Sequence, residues 1–383
     1  MSLRRESDEV LVIGGGPAGS MAALTLARAG IPCRLLEKSS ESVDKPCGDF
    51  LSAEAVTRLE ALQFPWSVAQ ASPVRKLRLE GRGRSTTVRL SFEGRSVRRA
   101  FLDGWLLQAA RQAGATIELG VQVRSVTSAA DGSFELATTA GQRFGRALVL
   151  ANGKHGLGQF HVRKGDRGPQ LLGWKMNFSH LGPQLVEALC ETLCLFSFAG
   201  GYGGISRVAD DTATAAVLVP PSRLSPRRDA DPLQLLRALA DEVPLLSSLL
   251  GESQPAWEFP KTVSNLPYGH CDQRADPGLF PVGDQLAVLP SFTGSGIAFA
   301  MASGACAARH IVDGRSEAAA DHVAEAGRMA RTVLRNGMPL HRALQRPLFT
   351  AVATRTPGFR FMVGVLAKRT RIADSSVAIG VAR

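Results

Sequence analysis

Residues 10–30 read VLVIGGGPAGSMAALTLARAG. The apolar run over residues 9–13, EVLVI, is short and ends in glycine, the pattern of a buried strand and its turn. Beyond the glycines, Met21, Leu24, Leu26 and Ala27 begin a helix that Gly30 stops. The next apolar run, PCRLLEK, reads as a second strand, so strand, helix and strand close within about 30 residues as one βαβ unit. Inside it, Gly14, Gly16 and Gly19 keep the G-x-G-x-x-G spacing. Gly14 permits the tight turn, Gly16 lets backbone approach a pyrophosphate, and Gly19 lets helix and strand pack closely. The helix N-terminus adds oriented N–H groups and a positive dipole end for the phosphates. Glu37 closes the second strand, where a carboxylate accepts both hydroxyls of an adenosine ribose and disfavours a 2′-phosphate. The stretch predicts a dinucleotide site.

Composition narrows the setting. The chain has 383 residues and 45% apolar content, enough for a large α/β body or two to three domains. No apolar run of about 18 residues is free of charge, which argues against a membrane span. The N-terminal MSLRRESDEV leads straight into the first strand rather than a signal peptide, so a cytoplasmic location is expected. The six cysteines are scattered, none in a CxxC, and Cys190 and Cys194 lack zinc partners. Neither a disulfide framework nor a metal site is expected. The net charge of +11 reflects a basic, Arg-rich surface, and no nucleic-acid motif accompanies it.

Further along, residues 74–97 alternate with glycines between, as antiparallel strands do. Residues 99–113 read as a helix with Leu102, Leu106, Ala109 and Ala110 on one face. Strands are expected near 171–178, 193–199 and 212–219, a helix over 232–250, and a mostly helical tail over 317–370. The fold class is α/β with α+β insertions: a Rossmann-like parallel sheet, a mixed or antiparallel substrate sheet, and C-terminal helices. The expected domains are a discontinuous cofactor domain (1–73, 98–160, 270–312), a substrate domain (74–97, 161–269) and a helical region (313–383).

A second motif chooses between dinucleotides. LFPVGDQLAVLPSFTGSGIAFAMASGACAA, from residue 279, runs an apolar strand into Gly283-Asp284, then Pro290, Gly294, Gly296 and a small-residue helix. An Asp at a strand end can hold a ribityl chain, and a glycine-led helix N-terminus can meet the pyrimidine end of an isoalloxazine. Both point to FAD.

VLVIGGGPAGSMAALTLARAG, LLEK, KPCGDFLS, RRAFLDGWLLQAARQAGA and VGDQLAVLPSFTGSGIAFAMASG together resemble the flavoprotein superfamily of para-hydroxybenzoate hydroxylase, most of all its geranylgeranyl reductase-like branch. The resemblance runs from residue 10 to about 310. It implies FAD contacts from Ala18, Glu37, Cys47, Gly48, Arg99, Val123, Asp284, Gly296 and Ile297. The same turns bring in Pro17, Lys38, Asn152, Gly153, Gly283, Pro290 and Gly294. Hydroxylases of the superfamily carry an Asp-Gly pair after the ALVLA strand, tied to FAD and NADPH; Asn152 stands in place of the Asp. Geranylgeranyl reductases carry a Tyr-x-Trp-x-Phe-Pro type motif; here Tyr202 stays, while Gly204 and Ser206-Arg207 replace the rest. GWKMNF does not supply the halogenase Trp-x-Trp-x-Ile-Pro motif.

The expected enzyme is an FAD oxidoreductase, foremost a monooxygenase or oxidase of an aromatic or polyketide-type secondary metabolite. The alternative is a reductase of an isoprenoid or other unsaturated lipid; a non-catalytic flavin-binding protein is a third reading. NADH or NADPH, or a separate flavin reductase or carrier, would supply electrons. The substrate is expected to be a small apolar or aromatic molecule, with no nucleic acid. Cys47, Tyr202 and Pro290 are candidates near the chemistry, and Phe50, Trp174, Met176, Tyr202 and Phe292 are candidates for the pocket. Trp174 and Met176 alternate with Gly173 and Lys175, so one pair faces inward. Tyr202 is read in a glycine turn. Within DKPCGDFLS (44–52), Cys47 is a cofactor wall or a reactive thiol, and Phe50 narrows the pocket where relatives carry Gly. The tail FRFMVGVLAKRTRI mixes apolar and basic residues, so it either docks on the inner membrane surface or packs on the cofactor domain.

Overall fold

The computed structural model describes residues 8–81, 84–128, 132–157, 171–223, 231–346, 348 and 371–372. Among them, five strands form a parallel sheet in the order Leu279–Pro281, Ala147–Leu150, Val10–Ile13, Cys33–Glu37, Thr116–Leu119. Val10 is in register with both Cys33 and Ala147. VLVI and ALVL are buried along their whole length, as strands covered on both faces must be. One face carries the helices Pro17–Arg28, Arg99–Gln112 and Gly296–Asp313, with Val10, Val12 and Leu35 in the shared core. The other carries a small antiparallel sheet, Val123–Ser128, Phe134–Thr138 and Gly141–Gly145, over Leu11, Ile13 and Leu36.

A second, mixed sheet runs Gln254–Pro255, Leu172–Ser179, Thr212–Val219, Gly201–Ala209, Thr192–Phe198, Ser72–Gly81, Arg84–Ser96, Phe50–Leu51. On one of its faces Trp174, Met176 and Phe178 meet leucines of the helices Gln234–Ala240 and Pro244–Glu252. The single helix expected over 232–250 is these two, because Val243 is extended and Pro244 starts a new helix. On the opposite face Lys175 reaches Asp49 of the KPCGDFLS loop at 2.6 Å, with both side chains fully buried. Asp44 lies 3.8 Å from the same ammonium. Thr214 Oγ1 lies 2.7 Å from Asp49 Oδ2 and from Asn177 Oδ1. This polar knot ties the cofactor half to the substrate sheet.

GGYGGISRV is not the turn its glycines suggest. Gly201–Ala209 is an interior strand between Thr192–Phe198 and Thr212–Val219. A Cβ on Gly201 would stand 2.5 Å from the Phe198 ring, and one on Gly203 2.5 Å from the Phe196 ring. The glycines are there because neighbouring aromatic rings lie across the strand.

The helix Ala318–Leu344 contains Pro339 and runs along the loop that follows Asp284. A Cβ on Gly337 would meet Pro290 and Thr293 at 3.3 Å. That close approach brings His341, one turn later, against Tyr202 and Tyr268. Most of the tail, read as either docking on a membrane or packing on the cofactor domain, lies outside the described residues. Of it, Arg371 pairs with Glu54 at 2.8 Å and Ile372 is buried in the main core. No helix among the described residues is long and apolar enough to cross a membrane.

Candidate functional site

The glycine turn, Glu37, Arg99 and Cys47 converge. Gly14 has φ +104, and a Cβ there would meet the Ala151 carbonyl oxygen at 2.4 Å. A Cβ on Gly19 would lie 2.0 Å from the Gly14 oxygen. Both positions are closed to larger residues by the fold itself. Gly16 differs: a Cβ there meets only the end of the Arg99 side chain, at 3.9 Å. The helix beginning at Pro17 has no side-chain cap, so its first N–H groups face open space over Gly16. Glu37 is held by the N–H of Gly15 at 2.7 Å and of Ser39 at 3.0 Å. Arg99 forks onto Asp103 with two contacts of 2.8 Å and also bonds the Cys47 side chain. Burial works against the Arg99 charge, and the Asp103 carboxylate outweighs it, so its proton is held more tightly than usual.

A second uncapped helix faces the same region. Gly296–Asp313 begins without a side-chain cap, and a Cβ on Gly296 meets nothing within 4 Å. Gly153, at φ +67, also faces open space. Asp284 sits beside Lys154, 3.7 Å away. Two open helix N-termini, an acid fixed for ribose hydroxyls and an acid at the second strand end form a cradle that matches FAD.

Other expected contacts are placed more loosely. Asn152 donates to the His155 carbonyl at 2.7 Å, and its buried Oδ1 has no hydrogen-bond partner. Gln285 bonds the carbonyls of Gly153 and His155, fixing this loop against Gly283-Asp284. Lys38 is exposed; burial together with Lys38, Lys154 and Lys45 pushes the His155 imidazole toward its neutral form. Val123 is buried beside Leu11 and Leu36. Ala18, Pro17 and Ile297 are buried in their helices' first turns.

Next to this cradle opens a largely apolar pocket, enclosing roughly 730 Å³ of empty space that includes open solvent. Cys47, Gly48 and Phe50 form one wall, Trp174, Leu193, Leu195 and Val217 the sheet side, and Phe292 and Leu266 the far side. Phe50 is seated between two glycines: a Cβ on Gly94 or Gly294 would strike its ring at 2.6 and 2.4 Å. Of the residues expected here, Phe50, Trp174, Tyr202, Phe292 and Cys47 are brought together. Met176 is not among the lining residues: Trp174 and Met176 share the strand face that packs on the leucine helices, and of the two only Trp174 also borders the pocket. Pro290 is buried behind the pocket against Gly337.

Two phenols and the Ser291 hydroxyl face the pocket. Tyr202 Oη lies 2.9 Å from His341 Nδ1 and accepts the Phe292 N–H. Tyr268 bonds Ser291 and stacks obliquely on His341, ring centroids 4.6 Å apart. Burial pushes both phenols well above their usual range, so both stay protonated. His341 was not anticipated from sequence: it lies 139 residues from Tyr202 in a helix read only as tail. A helical His followed by Arg342 carried no signal short of the fold.

Comparison with known proteins finds the same features elsewhere. The FAD binding domain family matches residues 7–138. The menaquinone reductase of Mycobacterium tuberculosis is 29% identical over 328 residues, covering 81% of this chain and 78% of that protein. The flavin-dependent brominase Bmp2 superposes with a TM-score of 0.76 at 18% identity, covering 96% and 94% of the two chains. A geranylgeranyl bacteriochlorophyll reductase-like protein from Thermoplasma acidophilum gives 0.72 at 18% identity, covering 97% and 95%.

Proposed function

We propose that this chain is an FAD-dependent oxidoreductase of the para-hydroxybenzoate hydroxylase type, as its FAD binding domain and its relatives support, and that it reduces a carbon–carbon double bond in an apolar, polyprenyl-type lipid. The carrying observation is the Tyr202–His341 couple on the wall of an apolar pocket. Reduction adds a hydride to one alkene carbon and a proton to the other. Bound FAD, reduced by a two-electron donor, supplies the hydride. Tyr202 supplies the proton: with the Phe292 N–H and a His341 Nδ1–H both donating to the phenol oxygen, its own hydrogen faces the pocket. His341 then passes its Nδ1 proton to the phenolate as its other ring nitrogen takes one up from solvent. Cys47 and Gly48 hold the cofactor-side wall, while Leu193, Leu195 and Val217 exclude water. Similarity to a menaquinone reductase over most of both chains supports a quinone or related lipid bearing such a tail.

Aromatic ring hydroxylation, the reading the sequence alone put first, is the second. The aromatic walls Phe50, Trp174 and Phe292 support it. One experiment separates them. The enzyme, reduced anaerobically with dithionite, is given a polyprenyl quinone and, separately, an alkyl phenol. A product whose prenyl tail has gained two hydrogens, weighed after the ring is reoxidised and absent without enzyme, formed without oxygen, supports the reductase. A product that gains an oxygen atom only after air is admitted overturns it in favour of the hydroxylase.

A further inference from the structure

Two helices meet at a cluster of side chains that the proposed redox chemistry does not use. Cys306 and His310 are four residues apart on Gly296–Asp313, and His322 and Glu325 are three apart on Ala318–Leu344. These spacings put each pair on one helix face. The Cys306 sulfur, a His310 ring nitrogen and a Glu325 carboxylate oxygen all lie within 4.8 Å of one another. His310 Nε2 is 3.0 Å from Glu325 Oε2, and the Cys306 thiol bonds the same carboxylate. Arg309 holds the other oxygen, Oε1, at 2.7 Å. Cys306 and His310 are buried, whereas Glu325 is half-buried and gives the cluster its access to solvent.

His322 is the independent observation. It is completely buried, and its Nε2 donates to the Pro281 carbonyl at 2.8 Å. That bond fixes the tautomer and leaves Nδ1 with a bare lone pair, which is buried and has no hydrogen-bond partner. His310 Nδ1 is likewise buried and unpartnered. The two rings are 6.4 Å apart. A neutral imidazole with one nitrogen tied to a carbonyl and the other bare is in the state that metal-ligating histidines adopt.

We propose that Cys306, His310 and Glu325, with His322 as fourth donor, bind a divalent cation of the zinc class that staples the two helices together. The sulfur, nitrogen and carboxylate set suits zinc, and tetrahedral ligand atoms lie about 3.5 Å apart, so the three atoms need to contract by about an ångström and His322, outside that group, has to swing its Nδ1 in. Binding breaks the Cys306 S–H bond, forms a sulfur–metal bond and releases the proton to solvent. Thiolate and carboxylate then balance the two positive charges, while Arg309 keeps the second carboxylate oxygen oriented. The staple fixes the helix whose N-terminus faces the cofactor cradle against the helix that carries His341.

The test uses full-length, FAD-loaded protein, treated with a chelator and titrated with cobalt(II). Stoichiometric growth of tetrahedral ligand-field bands, at wavelengths beyond oxidised flavin, is expected, with displacement by zinc. Cys306→Ser loses the intense sulfur-derived component and retains no zinc after gel filtration; Cys190→Ser, at an exposed cysteine, behaves as the parent. If Cys306→Ser does not fold, Glu325→Gln, at the solvent-accessible ligand, is expected to lose zinc in the same way. Parent protein that binds neither cobalt nor zinc stoichiometrically overturns the site and leaves a hydrogen-bonded triad. So does zinc binding unchanged in the variants.

Discussion

The phenol oxygen of Tyr202 lies 2.9 Å from Nδ1 of His341, although one sits on an interior strand and the other near the end of the last long helix. Neither helix propensity nor strand pairing needs this contact. Both side chains are more than nine-tenths buried, and the phenol edge reaches the pocket. If the couple delivers the proton, Tyr202→Phe slows substrate reduction by about 10²-fold or more, the range of a positioned acid, while cofactor reduction keeps its rate. His341→Gln gives a similar loss, and the double variant loses little more, because the two act in series. Rapid-mixing kinetics that follow the two half-reactions separately check this. Equal slowing of both half-reactions would remove Tyr202 from the chemistry.

How much of this was legible beforehand differs from one part to another. GGGPAG and Glu37 declare themselves because their chemistry is local: close backbone approach and a carboxylate at a strand end. Phe50, Trp174 and Phe292 were expected together, and they line one pocket. Alternation could not say whether Trp174 and Met176 or Gly173 and Lys175 face the cofactor side, because what covers each face of a strand is a tertiary fact; Trp174 and Met176 face the leucine helices. GGYGGISRV misled because glycine normally marks turns, whereas here Phe196 and Phe198 lie over the gaps. His341 and Lys175 act through partners more than 100 residues away. Their roles exist only once the fold is formed.

Lys175 and Asp49 make a fully buried pair that joins the substrate sheet to the cofactor loop. Removing one partner strands the other charge, so Lys175→Met destabilises the protein by about 3–5 kcal/mol. Asp49 has φ +58, a conformation that Asn tolerates, so Asp49→Asn isolates the charge effect without backbone strain. Combining Lys175→Met with Asp49→Asn costs less than the sum of the singles. Urea unfolding of the three variants measures this; strictly additive losses would mean that the pair is not coupled.

The glycines divide into two classes with opposite expected phenotypes. Gly19→Ala drives a methyl into the Gly14 carbonyl, so it lowers thermal stability even without cofactor. At Gly16 and Gly296 a side chain meets open space or only the end of Arg99. Gly16→Val and Gly296→Val therefore leave the stability of the cofactor-free protein nearly unchanged and weaken FAD binding. Melting curves with and without added FAD separate the classes; a Gly296→Val variant that binds FAD as tightly as the parent would place the cofactor elsewhere.

Acid sensitivity follows from carboxylates that their cationic partners hold low, Asp44 and Glu118 among them. Burial tends to raise the Asp44 carboxyl, but Lys175 and Arg98 outweigh it and hold it below its usual value. Glu118 is held low by Arg143 and, against some burial, by Arg34. A folded pKa below the unfolded one stabilises the protein above the unfolded pKa, about 4 for these groups. That stability drains away as pH falls through about 4 toward the lowered folded values. The melting temperature should thus be flat from neutral pH to about 5 and drop steeply below about 4. Asp44→Asn removes one of the titrating groups: it lowers stability at neutral pH and flattens the acid limb. Because Asp44 also accepts from the Ala100 N–H at the start of the helix carrying Arg99, its protonation loosens the residue that bonds Cys47. FAD release, followed by the rise of flavin fluorescence, should begin at a higher pH than global unfolding; coincident transitions would show that this corner does not open first.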